Sequence, residues 1–116
     1  MNQELSFTVM TKDLQKALAM AIKNIRTKPT VPMLANIHLI AAEDKLEIQA
    51  VEATESVAVI IDAEVEAAGE FVVEAKLITN IVEHIEEERL FFSKEKEAGQ
   101  VQIQSGWNVT SINVIN

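Results

Sequence analysis

Basic residues recur at helical spacing between Thr11 and Lys28, where they could attract a negatively charged partner. Intervals of 4, 7 and 3 residues place four of them on one side of a helix: Lys12, Lys16, Lys23 and Arg26. Lysine and arginine attract phosphate groups without reading the bases of a nucleic acid. Ordinary solvated helix faces also carry lysines. The residues alone therefore leave both interpretations open.

The other side of this stretch is apolar and predicts a helix packed on a core. Its members recur at i, i+3, i+4, i+7, i+8 and i+11: Leu14, Ala17, Leu18, Ala21, Ile22 and Ile25. Thr11 is the expected N-cap. Pro29 should stop the helix, because proline lacks an N–H and restricts the residue before it. The pattern predicts a helix of about 15 residues.

Charge is distributed unevenly along the chain. The formal net charge is −8, yet the stretch from Thr11 to Lys28 holds five of the ten basic residues and one acid, so it carries +4 and the remainder carries −12. Such a protein attracts a polyanion on one surface and repels it elsewhere. With 116 residues and 48% hydrophobic content, we expect one domain over residues 1–116.

Several classes of site and of protein find no support in the sequence. There is no cysteine, which excludes disulfides and thiolate zinc sites. Neither a glycine-rich phosphate loop nor a local catalytic constellation occurs, so we expect no enzyme activity and no cofactor. His84 with Glu88 supplies too few fixed ligands for zinc, and His38 is expected to be an ordinary strand residue. Without a secretory signal or a membrane-spanning run, a cytoplasmic protein with no membrane partner is expected.

Alternating and helical patterns follow each other in a repeated order. The alternation predicts strands at these segments: Leu5–Val9, Ile37–Ala41, Leu46–Ala50, Val57–Ile61, Glu70–Val73, Arg89–Ser93, Gln100–Gln104 and Trp107–Val114. Turns are expected at Glu43-Asp44, Ala98-Gly99 and Ser105-Gly106. The order is strand, helix and three strands, then the same five elements again. This predicts an α+β fold in which two helices lie side by side on one face of antiparallel sheet.

The second predicted helix runs from Ala75 to about Glu87. Its expected buried side consists of Leu77, Ile78, Ile81, Val82 and Ile85. The opposite side carries Lys76 and Asn80 but also Glu83 and Glu87. It therefore does not repeat the cationic face of the first helix.

Five segments together resemble, in order and over nearly the whole chain, the first domain of bacterial DNA polymerase III beta subunits, the replicative sliding clamps. They are SFTVMTKDLQKAL, TKPTVPMLANIHL, DKLEIQAVEATESVAV, GEFVVEAKLITNIVEHI and VQIQSGWNVTSINV. The most specific part is a pattern formed by Thr30, Pro32, Leu34 and Asn36. The resemblance implies a DNA-clamp fold, with helices lining the inside of a ring around duplex DNA and sheets outside.

The resemblance implies that the protein is a non-catalytic processivity factor in DNA replication. Lys28 and Lys76 match positions where clamps carry basic residues near DNA. The expected DNA-binding residues are Lys12, Lys16, Lys23, Arg26, Lys28, Lys76 and Asn80. The implied partners are double-stranded DNA bound without sequence specificity and other clamp domains that close the ring. Polymerase and clamp loader are implied to bind only through domains outside this chain.

The sequence leaves an alternative function and the assembly open. The alternative is a clamp-fold protein-interaction module without DNA contact, for which the basic residues would be dispensable. Trp107, Phe91 and Phe92 are expected to be core or edge residues, although the last strands could instead pair with another domain. Thr110 is polar where some clamps place an apolar junction residue. We therefore expect the isolated chain to be monomeric, with head-to-tail association through its edges as the other outcome.

Overall fold

The computed structural model describes residues 3–23, 36–50, 58–95 and 97–115. These residues form two helices and nine strands: β1 (Gln3–Met10), α1 (Thr11–Lys23), β2 (Asn36–Ala42), β3 (Lys45–Ala50), β4 (Ala58–Asp62), β5 (Glu64–Ala67), β6 (Gly69–Glu74), α2 (Ala75–Glu83), β7 (Arg89–Glu95), β8 (Gln100–Ser105) and β9 (Asn108–Asn113). The predicted α+β class is confirmed. The predicted end of the first helix, beyond Lys23, lies outside the described residues, and so does Val57.

All strand pairs among the described residues are antiparallel and form two sheets. The five-stranded sheet has the order β5-β1-β7-β8-β9, and the four-stranded sheet has the order β4-β3-β2-β6. Both helices contribute to the same core as the sheets, because buried side chains from both sheets, α1 and α2 form one cluster. The helices also contact each other. One face of each layer is thus buried and the other is left for solvent or partners.

Three aromatic side chains lie at the centre of this core. Phe7 of β1 and Phe92 of β7 are neighbours in register, and their rings stack with centroids 4.8 Å apart. Phe71 of β6 stacks on Phe92 from the other sheet at 6.3 Å. Because Phe92 contacts aromatic rings from both sheets, it holds the two sheets together.

The predicted strand-helix-strand order omits one strand. β5 (Glu64–Ala67) lies between the two predicted halves and pairs with β1, where Phe7 faces Val65. Its sequence, Glu-Val-Glu-Ala, contains residue types that are depleted in strands, so its local strand propensity is too low to predict a strand here. Pairing with the buried β1 overrides that propensity.

The second helix is also shorter than predicted. α2 ends at Glu83 and is capped by His84, which is αR with φ −94° and ψ 0°, whereas the sequence predicted an end near Glu87. No basic residue occupies its last turn. If α2 had continued to Glu87, the acidic residues Glu86–Glu88 would lie at its C-terminus, where the helix macrodipole disfavours negative charge.

Two of the three predicted turns form as expected, and the third differs in detail. Glu43 and Asp44 both have positive φ, 52° and 59°, as a two-residue hairpin turn requires. Gly106 likewise has φ +57°. Before Gly99, the residue with left-handed φ is Glu97, at 66°. That turn therefore does not draw on the conformational freedom of its glycine.

Replacing Phe92 by alanine should destabilise the fold by about 3–5 kcal/mol, because the substitution opens a cavity between the two sheets. The matched control is Phe91→Ala on the outer face of the same strand, where the side chain is only partly buried. We expect a loss below about 2 kcal/mol for the control. Chemical denaturation measures both values. Equal losses would show that Phe92 does not hold the two sheets together.

Candidate nucleic-acid interface

The exposed side of α1 carries the basic residues predicted for it. Leu14, Ala17, Leu18 and Ala21 are buried, which confirms the apolar side and fixes the rotation of the helix. At about 100° per residue, the opposite side contains Lys12 and Lys16, both of which are exposed. Lys23 is the last residue of α1, but its side chain lies outside the described part, as do Arg26, Lys28 and the segment Thr30–Leu34.

α2 presents a mixed face to solvent. Ala75, Ile78 and Val82 are buried, and the side opposite them bears Lys76 and Asn80, both exposed as predicted. Leu77 was predicted to be buried, but its residue is 40% exposed. At 100° per residue, Leu77 lies more than a quarter turn away from the middle of the buried side of α2. It therefore lies on the same exposed side of the helix as Asn80.

Hydrogen bonds fix the two helices relative to each other. Gln15 Nε2 donates to the Val82 carbonyl oxygen at 3.0 Å, and the Thr11 N–H donates to the Glu88 carbonyl oxygen at 2.9 Å. The first turn of α1 therefore lies beside the end of α2. Lys12 and the acidic segment Glu86–Glu88 are brought to the same place.

A groove of about 660 Å³ forms where these ends meet. Its lining includes Met10, Ile85, Lys12, Asp13 and the three glutamates Glu86–Glu88. Four acids surround one lysine there, so the positive potential of α1 is weakest at its first turn and stronger from Lys16 onward. Sequence patterns did not indicate this groove, because its two sides, residues 10–15 and 85–88, are far apart in the chain.

The expected N-cap bond of Thr11 does not form. Thr11 is the first residue of α1 and is buried, but its Oγ1 has no hydrogen-bond partner. Its backbone N–H instead bonds to Glu88, as described above. The start of α1 is thus held by the connection after α2 rather than by its own side chain.

Neither histidine belongs to a metal-binding cluster among the residues that the structure describes. No group of three or more His, Asp or Glu side chains within the described ranges is arranged to hold a metal ion. His84 Nδ1 lies 2.6 Å from the Asn80 carbonyl oxygen and 3.9 Å from Glu83 Oε1. His38, partly exposed on β2, has its Nε2 3.1 Å from Glu70 Oε1. Both histidines thus make local contacts at the surface.

The outer strands of the two sheets differ in their charge. β9 ends the five-stranded sheet and has no charged residue, whereas β5 at the other end contains Glu64 and Glu66. β4 ends the four-stranded sheet, and its single charged residue, Asp62, pairs with Lys45 of β3. Hydrogen bonding to Lys45 and its charge together lower the pKa of Asp62 below the ordinary value.

Of the aromatic residues predicted to be core or edge, Phe92 is buried and Phe91 partly buried. Trp107 is fully exposed in the turn between β8 and β9, so a core position is wrong for it. Thr110, the polar residue noted above in the last predicted strand, is exposed on β9. In the described ranges, no helix has the length and apolar character needed to cross a membrane.

Comparison with known proteins shows which family and which solved structures this chain is similar to. Residues 5–115 match the family model for the DNA polymerase III beta subunit, N-terminal domain. The chain superposes on the beta sliding clamp of Caulobacter crescentus with a TM-score of 0.84 at 22% identity, covering 98% of this chain and 30% of the clamp. It superposes on the DNA polymerase sliding clamp of Bacillus subtilis with a TM-score of 0.82 at 18% identity, covering 97% of this chain and 32% of that clamp. For the DNA polymerase beta subunit of Streptococcus pyogenes, the TM-score is 0.81 at 20% identity, with 96% of this chain and 30% of that chain covered.

These likenesses establish the clamp fold, including two helices and two antiparallel sheets. The chain spans about 30% of the length of the solved structures it matches. What the whole proteins do is therefore transferred to this chain only by proposal.

Replacing Thr11 by valine should leave stability unchanged or raise it slightly, because the substitution removes a buried hydroxyl that has no partner. An N-cap threonine would instead contribute about 0.5–2 kcal/mol, all of it lost on substitution. Thr79→Val is a matched control, since Thr79 Oγ1 is also buried without a partner. Urea denaturation of the three proteins measures the difference. A loss above about 1 kcal/mol in Thr11→Val alone would restore the capping role.

Proposed function

The chain belongs to the family of DNA polymerase III beta subunit N-terminal domains, and on that premise we propose that it faces duplex DNA with its helical layer as one part of a clamp ring. The observation that carries this proposal is the exposure of Lys12 and Lys16 on the side of α1 opposite its buried residues. The proposed DNA-facing set also includes Lys23, Arg26, Lys28, Lys76 and Asn80.

Electrostatics support this orientation. Phosphate contacts by lysine hold DNA without fixing a position along its sequence, which suits a protein that must move along the duplex. The −12 carried outside the Thr11–Lys28 stretch opposes DNA on the sheets and, through Glu86–Glu88, beside the first turn of α1. Attraction is therefore confined largely to the helical layer.

The role proposed for the domain is tethering rather than chemistry. It acts as a non-catalytic accessory part of the replication machinery in the cytoplasm, over residues 1–116 as one domain. Other clamp domains complete the ring, and the outer edges of β9 and β4, the end strands of the two described sheets, offer backbone groups for that pairing. We assign the polymerase and clamp-loader contacts to other domains of the ring.

The test compares matched pairs of substitutions in a salt titration of duplex binding. Lys12→Gln with Lys16→Gln removes two charges from α1, and Lys45→Gln with Lys94→Gln removes two charges from β3 and β7. If Lys12 and Lys16 each contact a phosphate, the slope of log K against log salt should fall by about two in the first pair. The second pair should change it little.

Affinity of the isolated chain should be weak, at or below the non-specific range of about 10⁻⁴–10⁻⁶ M, because encirclement contributes nothing to a lone domain. Equal effects of the two pairs would mean diffuse attraction and would contradict a DNA-facing α1. A fully unchanged titration in the α1 pair would favour the alternative, a clamp-fold interaction module without DNA contact. Circular dichroism checks that all variants remain folded.

A further inference from the structure

The groove between the first turn of α1 and the connection after α2 is lined by apolar as well as acidic residues. Met10 and Ile85 supply its large apolar side chains, and Met10 is 36% exposed. The groove volume of about 660 Å³ lies within the range of ligand-binding clefts. A methionine in the wall adapts to ligands of different shape, because its unbranched side chain is flexible. The groove is therefore suited to hold an apolar group.

The acidic residues of this groove are not neutralised by the groups around them. Asp13 and Glu86–Glu88 are all exposed, and none of them forms an ion pair within the described ranges. Against these four carboxylates stand Lys12 and the N-terminus of α1, which together supply about 1.5 positive charges. An excess of about 2.5 negative charges is left. This excess repels nucleic acid and attracts a cationic ligand.

A hydrogen-bonding group in the same groove also lacks a partner. Thr11 lines the groove and is 2% exposed, and its Oγ1 makes no hydrogen bond within the described part of the chain. A buried hydroxyl without a partner costs free energy. A ligand that donates a hydrogen bond to this oxygen recovers that cost. Independently of the acids, Thr11 thus indicates a ligand that carries hydrogen-bond donors.

We propose that this groove binds a short basic peptide segment of a partner protein, in which arginine or lysine lies next to an apolar residue. The inference goes beyond the proposed contact with DNA. The apolar side chain of the peptide packs on Met10 and Ile85. Its cationic groups lie among the carboxylates of Glu86–Glu88, and one of them donates to Thr11 Oγ1.

Arginine fits this lining best among the cationic groups. Its planar guanidinium carries five donors and pairs with a carboxylate through two hydrogen bonds. It therefore has donors left for the Thr11 hydroxyl while it pairs with a glutamate. A free polyamine supplies the charge but not the apolar contact, so a peptide matches the groove more completely.

Fluorescence anisotropy of a labelled, capped peptide tests the proposal with the unmodified chain at low salt. In this probe, two arginines lie between two leucines. One comparison peptide has glutamines in place of the arginines, and a second has serines in place of the leucines. Each should bind about fivefold more weakly than the probe, or weaker still, because each lacks one of the two kinds of contact.

Substitutions in the chain locate the binding. Glu86→Gln with Glu88→Gln should weaken binding of the probe by about fivefold or more, because two ion pairs are lost. The matched control is Glu64→Gln with Glu66→Gln, which removes two exposed acids from β5 and should change the affinity little. Thr11→Val should weaken binding by a similar factor. Because its stability is expected to be unchanged, that loss reports on the hydroxyl alone.

Several results would overturn the proposal. Equal weakening by the two glutamate pairs would mean diffuse attraction to an acidic protein. Equal binding of the arginine and glutamine peptides would show that charge does not select the ligand. Displacement of the probe by an equal concentration of spermidine would assign the groove to a small amine. An unchanged affinity in Thr11→Val would overturn the hydrogen bond.

Lys12→Gln separates this inference from the proposed function. Lys12 belongs to the proposed DNA-facing residues, whereas in the groove it opposes a cationic ligand. The substitution should therefore strengthen binding of the probe by about twofold or more and lower the salt dependence of duplex binding. Stronger probe binding with an unchanged DNA titration would overturn the DNA contact alone. A weaker salt dependence without any probe binding would overturn the groove alone.

Discussion

The burial of one side of each helix against the sheets is the constraint on which the rest of the structure depends. Leu14, Leu18, Ile78 and Val82 are all fully buried or nearly so, and these positions set the rotation of α1 and α2. Once that rotation is fixed, helical geometry determines which residues face outward. The exposure of Lys12 and Lys16 is thus a consequence of packing, and their charge can be changed without disturbing the core.

Tertiary contacts then modify the field that these charges produce. The bond from the Thr11 N–H to Glu88 brings the acidic connection after α2 against the first turn of α1. Within that connection, the Glu87 carboxylate lies beside the turn at Gly106, in the space that a Cβ there would enter. One short acidic segment therefore lies against both the basic helix and the hairpin that carries Trp107. The positive surface is shifted along α1, away from the groove and toward Lys16.

Periodic apolar patterns predicted most of this fold, because burial dominates where a whole side of an element is apolar. α1, the strands from β6 through β8, and the hairpin at Glu43-Asp44 agree with the sequence within a few residues. β5 was missed because its glutamates have poor strand propensity and its stability comes from pairing with β1. The predicted end of α2 was too late, since a periodic pattern does not include the unfavourable effect of acids at a helix C-terminus.

The candidate site was predictable only in part. The exposed lysines of α1 followed from spacing, whereas the groove between Thr11 and Glu88 and the exposure of Trp107 depend on residues distant in sequence. Trp107 is an example: the sequence placed this large aromatic residue within the last strand, where a core or edge position was expected, but β9 begins only at Asn108 and Trp107 lies in the preceding turn. The hydroxyl of Thr11 is a second case, since a residue type typical of caps is here buried without a bond.

The most direct measurement of the central claim, that the helical layer faces DNA, is amide chemical-shift mapping of the isotope-labelled chain with a short duplex at low salt. Our account predicts that shifts concentrate on the outward side of α1 around Lys16 and at Lys76 and Asn80 of α2. The outer faces of both sheets should remain unperturbed. Shifts concentrated on β7, β8 and β9, with α1 unaffected, would contradict it.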